Sequence, residues 1–192
     1  MERVIHFAGG CFWGTEALFR RLEGVTAVTA GYANGSGPDR ASYEAVCTGR
    51  TGFREAVRVD YDDAVISLPR LLFAFFASID VETPNRQGPD VGSQYQTGVY
   101  WSDPADEAVI RSVAAVEAAG VPFFAVELKP LANFFPAEEH HQRYLEKHPR
   151  GYCHIAPWKL AALPDYPFST ENYGRPAKEL LRAWREEREA DR

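Results

Sequence analysis

The sequence predicts an α+β fold, and three observations predict it. Strand and helix signals follow one another as β-α-β-β-α-β across residues 3–101, which is the order of a split β-α-β unit. Residues 53–61 alternate by twos. Phe53, Glu55, Val57, Val59 and Tyr61 share one face, and Arg54, Ala56, Arg58 and Asp60 the other, the pattern of a strand buried on one side. A very apolar stretch at 68–79 is long enough for a helix, with Ser67 as its cap and Pro69 in its first turn, where proline is tolerated. Together they specify a ferredoxin-like split β-α-β core with added helices and a long irregular C-terminal segment.

The elements follow in order. Residues 3–8 read as a strand ending in the Gly9-Gly10 turn, and 12–22 as a helix that Gly24 terminates. A second strand at 25–33 gives way to a Gly/Ser/Pro loop over 34–42, and the third strand covers 53–61. After the helix at 68–79, residues 80–94 form a long irregular loop and 96–101 a fourth strand. Asp103-Pro104 opens a helix that ends near Gly120, and Pro122 leads into a strand at 123–129. A further helix covers 137–147, stopped by Pro149, and the proline-punctuated stretch 149–174 has no sustained period. The charged segment 176–190 reads as a helix whose only apolar seam is Leu180, Leu181 and Trp184, docking lightly on the body. No internal repeat and no domain boundary is visible. Residues 1–160 form a single domain, with 161–192 as a C-terminal extension, irregular and then helical.

Composition narrows the function. A chain of 192 residues, 45% hydrophobic and 25% charged, suits one soluble domain with its own core. A net charge of −6 argues against nucleic acid or an anionic membrane as the main partner. No apolar run approaches the roughly 20 residues that span a bilayer, and no signal-peptide core follows Arg3. A cytoplasmic monomer is the expectation. The three cysteines, Cys11, Cys47 and Cys153, are an odd, widely spaced set without a C-x-x-C pair, a poor framework for disulfides or zinc. Adjacent His140 and His141 point about 100° apart on a helix and cannot chelate one ion from a single face. Thiol chemistry remains.

Cys11 is the centre of that chemistry. It lies in Gly10-Cys11-Phe12-Trp13-Gly14, where a strand gives way to a helix, and free N–H groups at a helix N-terminus favour a thiolate. The alternative is an inert core thiol. Glu55 points inward among valines and aromatics, so burial keeps its carboxyl protonated near neutral pH; the plainer reading turns it to solvent at the strand's frayed start. A nucleophile beside a raised-pKa acid is a recognisable division of roles. The loop from Arg86 to Tyr95 adds the carboxylate of Asp90 and the phenol of Tyr95, although Asp90 serves equally as a turn residue. Cys153, in Gly151-Tyr152-Cys153, can swing to an oxidised Cys11 or be an incidental surface thiol; spacing does not choose. Cys47 follows the run from Tyr43 to Val46 and reads as buried and inert.

Gly10-Cys11-Phe12-Trp13-Gly14 resembles the signature of the A-type peptide methionine sulfoxide reductases, the MsrA family. Tyr43-Glu44 with Cys47, Arg50-Thr51-Gly52 leading to Glu55, Arg86-Gln87-Gly88 through Tyr95, and Gly151-Tyr152-Cys153 recur in the same order in that family. The resemblance spans about residues 4 to 155. It implies Cys11 as nucleophile, Glu55 as acid, Tyr43, Asp90 and Tyr95 on the sulfoxide oxygen, Phe12 and Trp13 on the S-methyl group, and Cys153 as the recycling cysteine. The implied activity is reduction of the S epimer of methionine sulfoxide, free or in proteins, through a sulfenic acid and a Cys11–Cys153 disulfide that thioredoxin reduces, with no bound cofactor. The chain departs from the family pattern at Phe53, Ile79-Asp80-Val81, Pro89 and His140. Two rivals are a cysteine hydrolase pairing Cys11 with His141 or His154, and a binding module in which Cys11 is inert.

Overall fold

A computed structural model describes residues 1–190 of the chain. Strand β1 (Glu2–Ala8) leads into helix α1 (Phe12–Phe19), then strand β2 (Val25–Ala33), the short helix α2 (Tyr43–Cys47), strand β3 (Arg54–Asp62) and helix α3 (Leu68–Ser78). A two-residue hairpin, β4 (Arg86–Gln87) and β5 (Asp90–Val91), precedes strand β6 (Gly98–Trp101) and helix α4 (Asp106–Ala119). Strands β7 (Glu127–Pro130) and β8 (Phe134–Pro136) and helices α5 (Tyr144–Lys147), α6 (Pro157–Asp165) and α7 (Ala177–Ala190) complete it.

The main sheet runs β7-β6-β1-β3-β2-β8. Its inner four strands, β6-β1-β3-β2, are antiparallel in the split β-α-β order, and β7 joins β6 in parallel. Register holds β1 to β3 from Glu2↔Asp62 to Phe7↔Val57. The alternation in β3 has its expected effect on one face, while Ala56 on the other is also buried, beside Ala8, Ala33 and Tyr100. Glu55, Val57, Val59 and Tyr61 are buried on the face covered by α1 and α3, while Arg58 is exposed. Phe7 stacks on Phe19 of α1 with ring centroids 4.5 Å apart. α3 is buried on nearly every side because α4 and α7 pack over it, and each buried Leu or Phe contributes roughly 1.5–3 kcal/mol. No helix among the described residues is long and apolar enough to cross a membrane.

Several boundaries differ from expectation, each for a physical reason. α1 stops at Phe19, and Gly24 at φ +92° is needed where a Cβ would lie 2.7 Å from Ile66. The strand expected at 123–129 starts at Glu127, because β6, its one partner among the described residues, starts at Gly98. The helix expected over 137–147 is a single 3₁₀ turn, Glu139–His141, followed by α5. Between them Arg143 adopts φ +53° so that its N–H reaches Glu16 Oε1 at 2.9 Å, and the Gln142 side chain bridges Ala30 and Ala137. Side-chain acceptors have taken over backbone bonds that a helix would have made.

The stretch 149–174 holds α6, which starts at Pro157, where a missing N–H costs nothing, and has Pro164 only at its far end. α7 does more than dock lightly. Ala177 and Leu181 are fully buried, and the buried Glu117 of α4 accepts hydrogen bonds from Tyr173 Oη at 2.5 Å and the Ala177 N–H at 2.9 Å. The extension expected through residue 192 ends, for its last two positions, outside the described residues.

Candidate active site

β1 delivers the chain to a turn that only glycine fits. Gly10 has φ +85°, and a Cβ there would lie 2.7 Å from Gln87 Cβ. Cys11 follows as the residue capping α1, its side chain making no cap hydrogen bond. The next amide, that of Phe12, donates to Glu55 Oε2 at 3.1 Å. Helix N-terminus and β3 thus bring a thiol and a carboxyl together across 44 residues of sequence, with Cys11 7% and Glu55 1% exposed.

The electrostatics of the two groups agree with the sequence reading for one and correct it for the other. Burial raises the Glu55 pKa to about 8, against the Phe12 N–H, with nearby Asp90 adding to the rise. The carboxyl is neutral over most of the physiological range. Burial also pushes the Cys11 thiol well above its ordinary value, and the Glu55 charge adds to this, outweighing the Trp13 N–H that favours the thiolate. The helix N-terminus pulls as expected, but it is too weak to offset desolvation. Cys11 rests as a thiol.

A cavity of about 280 Å³ opens over the sulfur, walled by Cys11, Phe12, Trp13, Tyr43, Glu55, Asp90, Tyr95 and Tyr152. Seven of these are residues the sequence singled out. Tyr43 begins α2, whose N-cap Ser42 accepts from the Ala45 N–H; the Tyr43 N–H donates to Glu138 Oε1 at 2.8 Å. Glu138 Oε2 in turn accepts from Tyr32 Oη at 2.7 Å. Tyr95 ends the 3₁₀ turn Ser93–Tyr95. Burial raises the pKa of both pocket phenols, so each keeps its proton as a donor. The loop carrying Asp90 is tied by the buried Gln87, which accepts from the Asp80 N–H at 2.8 Å and donates to the Asp80 carbonyl at 2.7 Å. Trp13 Nε1 donates to His141 Nδ1 at 3.2 Å, and its indole lies flat on Tyr144, centroids 3.7 Å apart.

Tyr152 was not anticipated as a wall. Its hydroxyl donates to Asp90 at 2.8 Å, and its neighbour Cys153 was the only sequence signal for that segment. Tyr144 and Glu138 also left no local signal, because each acts across the fold, and His141, read from sequence as a possible base, instead holds Trp13. Cys153 does not line the cavity; its Sγ donates to the Ile155 carbonyl at 3.4 Å, close to Gly14, where a Cβ would come within 3.0 Å of it. All three cysteines are free thiols. Cys47 is exposed rather than buried, because α2 turns Val46 to the core and leaves Cys47 facing out. The Cys–His pair of a hydrolase is not assembled. His141 Nδ1 is taken by Trp13, and neither His141 nor His154 hydrogen-bonds Cys11 Sγ among the described residues.

A buried thiol facing a neutral carboxyl under a rim of phenols defines a cysteine-dependent enzyme for an electrophile whose oxygen must be protonated. A family model described as peptide methionine sulfoxide reductase matches residues 3–163. The peptide methionine sulfoxide reductase MsrA of Clostridium perfringens is 46% identical over 156 residues, 81% of this chain and 98% of the relative. Among solved structures, Mxr1 from Saccharomyces cerevisiae in reduced form superposes with a TM-score of 0.76 at 36% identity, covering 81% of this chain and 91% of that one. Mxr1 in complex with Trx2 matches at a TM-score of 0.53 and 26% identity, over 74% and 84% of the two chains. The chain belongs to the peptide methionine sulfoxide reductase family.

Proposed function

We propose that the chain reduces methionine sulfoxide, as the S epimer and free or within proteins, with Cys11 as nucleophile and Glu55 as acid. The observation that carries this is Glu55, 1% exposed, with a pKa near 8, in the same small cavity as the Cys11 sulfur. Sulfoxide sulfur is a poor electrophile until its oxygen is protonated, and a neutral buried carboxyl supplies that proton in the transition state. Tyr43 and Tyr95 donate hydrogen bonds to the same oxygen, with Asp90 at the rim. Phe12 and Trp13 take the S-methyl group; sulfur–aromatic contact is worth roughly 0.3–1.5 kcal/mol.

The resting thiol fits this order of events. Cys11 gives up its proton as it attacks, the S–O bond passes oxygen to Cys11 as a sulfenic acid, and methionine leaves reduced. Cys153 then condenses with the sulfenic acid to a disulfide and water, and a thioredoxin dithiol reduces the disulfide by exchange. The complex of the yeast relative with Trx2 supports that last partner. Catalysis belongs to residues 1–160, with 161–192 as a C-terminal extension that adds Leu163, Tyr173, Ala177 and Leu181 to the core. A monomer in the cytoplasm suits a cycle that runs on free thiols.

Anaerobic turnover of the separated sulfoxide epimers tests the reading. One methionine per enzyme is expected from the S epimer without added reductant. No methionine from either epimer sinks it, and equal rates with both remove the stereochemical part.

A further inference from the structure

His154 follows Cys153 directly, and the cycle described so far gives it no task. Its imidazole is wedged against the same glycine-lined turn that carries Cys11. A Cβ at Gly10 would meet His154 Nε2 at 3.3 Å, and a Cβ at Gly14 would meet Nδ1 at 3.2 Å and the Cys153 sulfur at 3.0 Å. Because Nδ1 and that sulfur lie that close to one point, they are no more than about 6 Å apart. Both ring nitrogens are out of solvent, and neither makes a well-formed hydrogen bond among the described residues, although the Gly9 carbonyl is near enough to act on the ring's charge. Two unpaired buried nitrogens are a cost that the fold has not relieved.

We propose that His154 is the proton-transfer residue of the recycling step, which rests on the sulfenic acid chemistry proposed above. The imidazole takes the proton from Cys153 Sγ as that sulfur attacks the Cys11 sulfenic acid. The new S–S bond forms as the S–O bond of Cys11 breaks, and His154 returns the proton to the departing hydroxide, which leaves as water. Cys153 sulfur is oxidised and Cys11 sulfur is reduced, so no outside electron donor enters the step.

The surroundings favour a neutral ring able to act as the base. Burial lowers the His154 pKa below its ordinary 6.5, outweighing the Gly9 carbonyl and Asp90, which raise it; Lys159 of α6 lowers it further. The Cys153 thiol needs such help, since burial raises its own pKa, opposed in part by a backbone hydrogen bond at Ile155 and by Arg21.

The test separates the two halves of the cycle. Enzyme is mixed with one equivalent of sulfoxide, without reductant. Methionine release reports the first step, and loss of free thiol with mass mapping reports the Cys11–Cys153 disulfide. His154→Phe keeps a ring in the wedge but carries no proton. Its methionine burst is expected at the wild-type rate, with disulfide formation slowed roughly 100-fold, within the range for general acid–base groups. The histidine inflection in the pH profile of disulfide formation should vanish, and added imidazole should restore part of the rate. If the Phe variant gives no burst, His154→Gln is read in the same way. Wild-type disulfide formation in whichever variant retains the burst overturns the inference. Absence of a burst in the wild-type protein instead overturns the reading on which it rests.

Discussion

Two buried glutamates, one in the pocket and one at the C-terminal joint, show how equal burial leads to different jobs. Glu55 is 1% exposed and Glu117 3%. Glu117 accepts from Tyr173 Oη and the Ala177 N–H, and so bolts the start of α7 and the turn before it onto α4. Among the described residues Glu55 accepts only the Phe12 N–H, and otherwise it faces the cavity. Burial raises both pKa values, and the Glu117 partners offset only part of its rise. A carboxyl that is spent on hydrogen bonds holds structure. One that is left short of partners keeps a proton to give.

That contrast can be broken most sharply at the sulfur that Glu55 faces. Cys11→Ser should abolish methionine formation, measured by product release over hours; surviving turnover would mean that another group attacks. Next, Glu55→Gln should lower kcat/KM by roughly 10²–10⁴-fold, as for loss of a general acid, while keeping an acceptor for the Phe12 N–H. Glu117→Ala should do the reverse, leaving kcat/KM intact and costing roughly 1–3 kcal/mol for the donors left unpaired, seen as a lower Tm. A rate loss in the Glu117 variant comparable with that at Glu55 would erase the distinction.

pH sharpens the same comparison. Activity should fall as pH rises through about 8, where Glu55 loses its proton, and this limb should be absent in Glu55→Gln. Stability has a matching sign. A folded pKa raised from 4.5 to about 8 gives a contribution that is full below 4.5 and lost as pH rises through 8. Denaturation at pH 9 should therefore show Glu55→Gln gaining on wild type relative to pH 5. The smallest effect is expected at the wall. His141→Phe removes the acceptor for Trp13 Nε1 and should raise KM about fivefold, the worth of roughly 1 kcal/mol; an unchanged KM would mean that stacking on Tyr144 alone fixes the indole.

Glu55 was legible because residues 53–61 alternate by twos, and β3 keeps Glu55, Val57, Val59 and Tyr61 buried on one face, although Ala56 on the other is buried as well. Cys11, Phe12 and Trp13 were legible because they sit at one strand-to-helix junction. What escaped was whatever depends on distant partners. Nothing local in 137–147 announces that Glu16 will capture the Arg143 N–H and break the helix. Pro157 and Pro164 read as breakers, yet they occupy the two ends of α6, where each costs little. The Cys11 pKa was misjudged for a related reason, since a sequence displays the helix N-terminus but not the depth of burial that overrides it.

The Tyr152–Asp90 hydrogen bond carries a consequence for the timing of the cycle. Tyr152 is part of the cavity wall and is joined by one peptide bond to Cys153. In the cycle proposed above, an excursion of Cys153 toward Cys11 would draw its neighbour off the carboxylate and open one side of the chamber. Methionine has left by then, so in the proposed cycle the pocket would stand incomplete for as long as the disulfide lasts, and a fresh sulfoxide would meet a complete enclosure only after the reductant has sent that segment home.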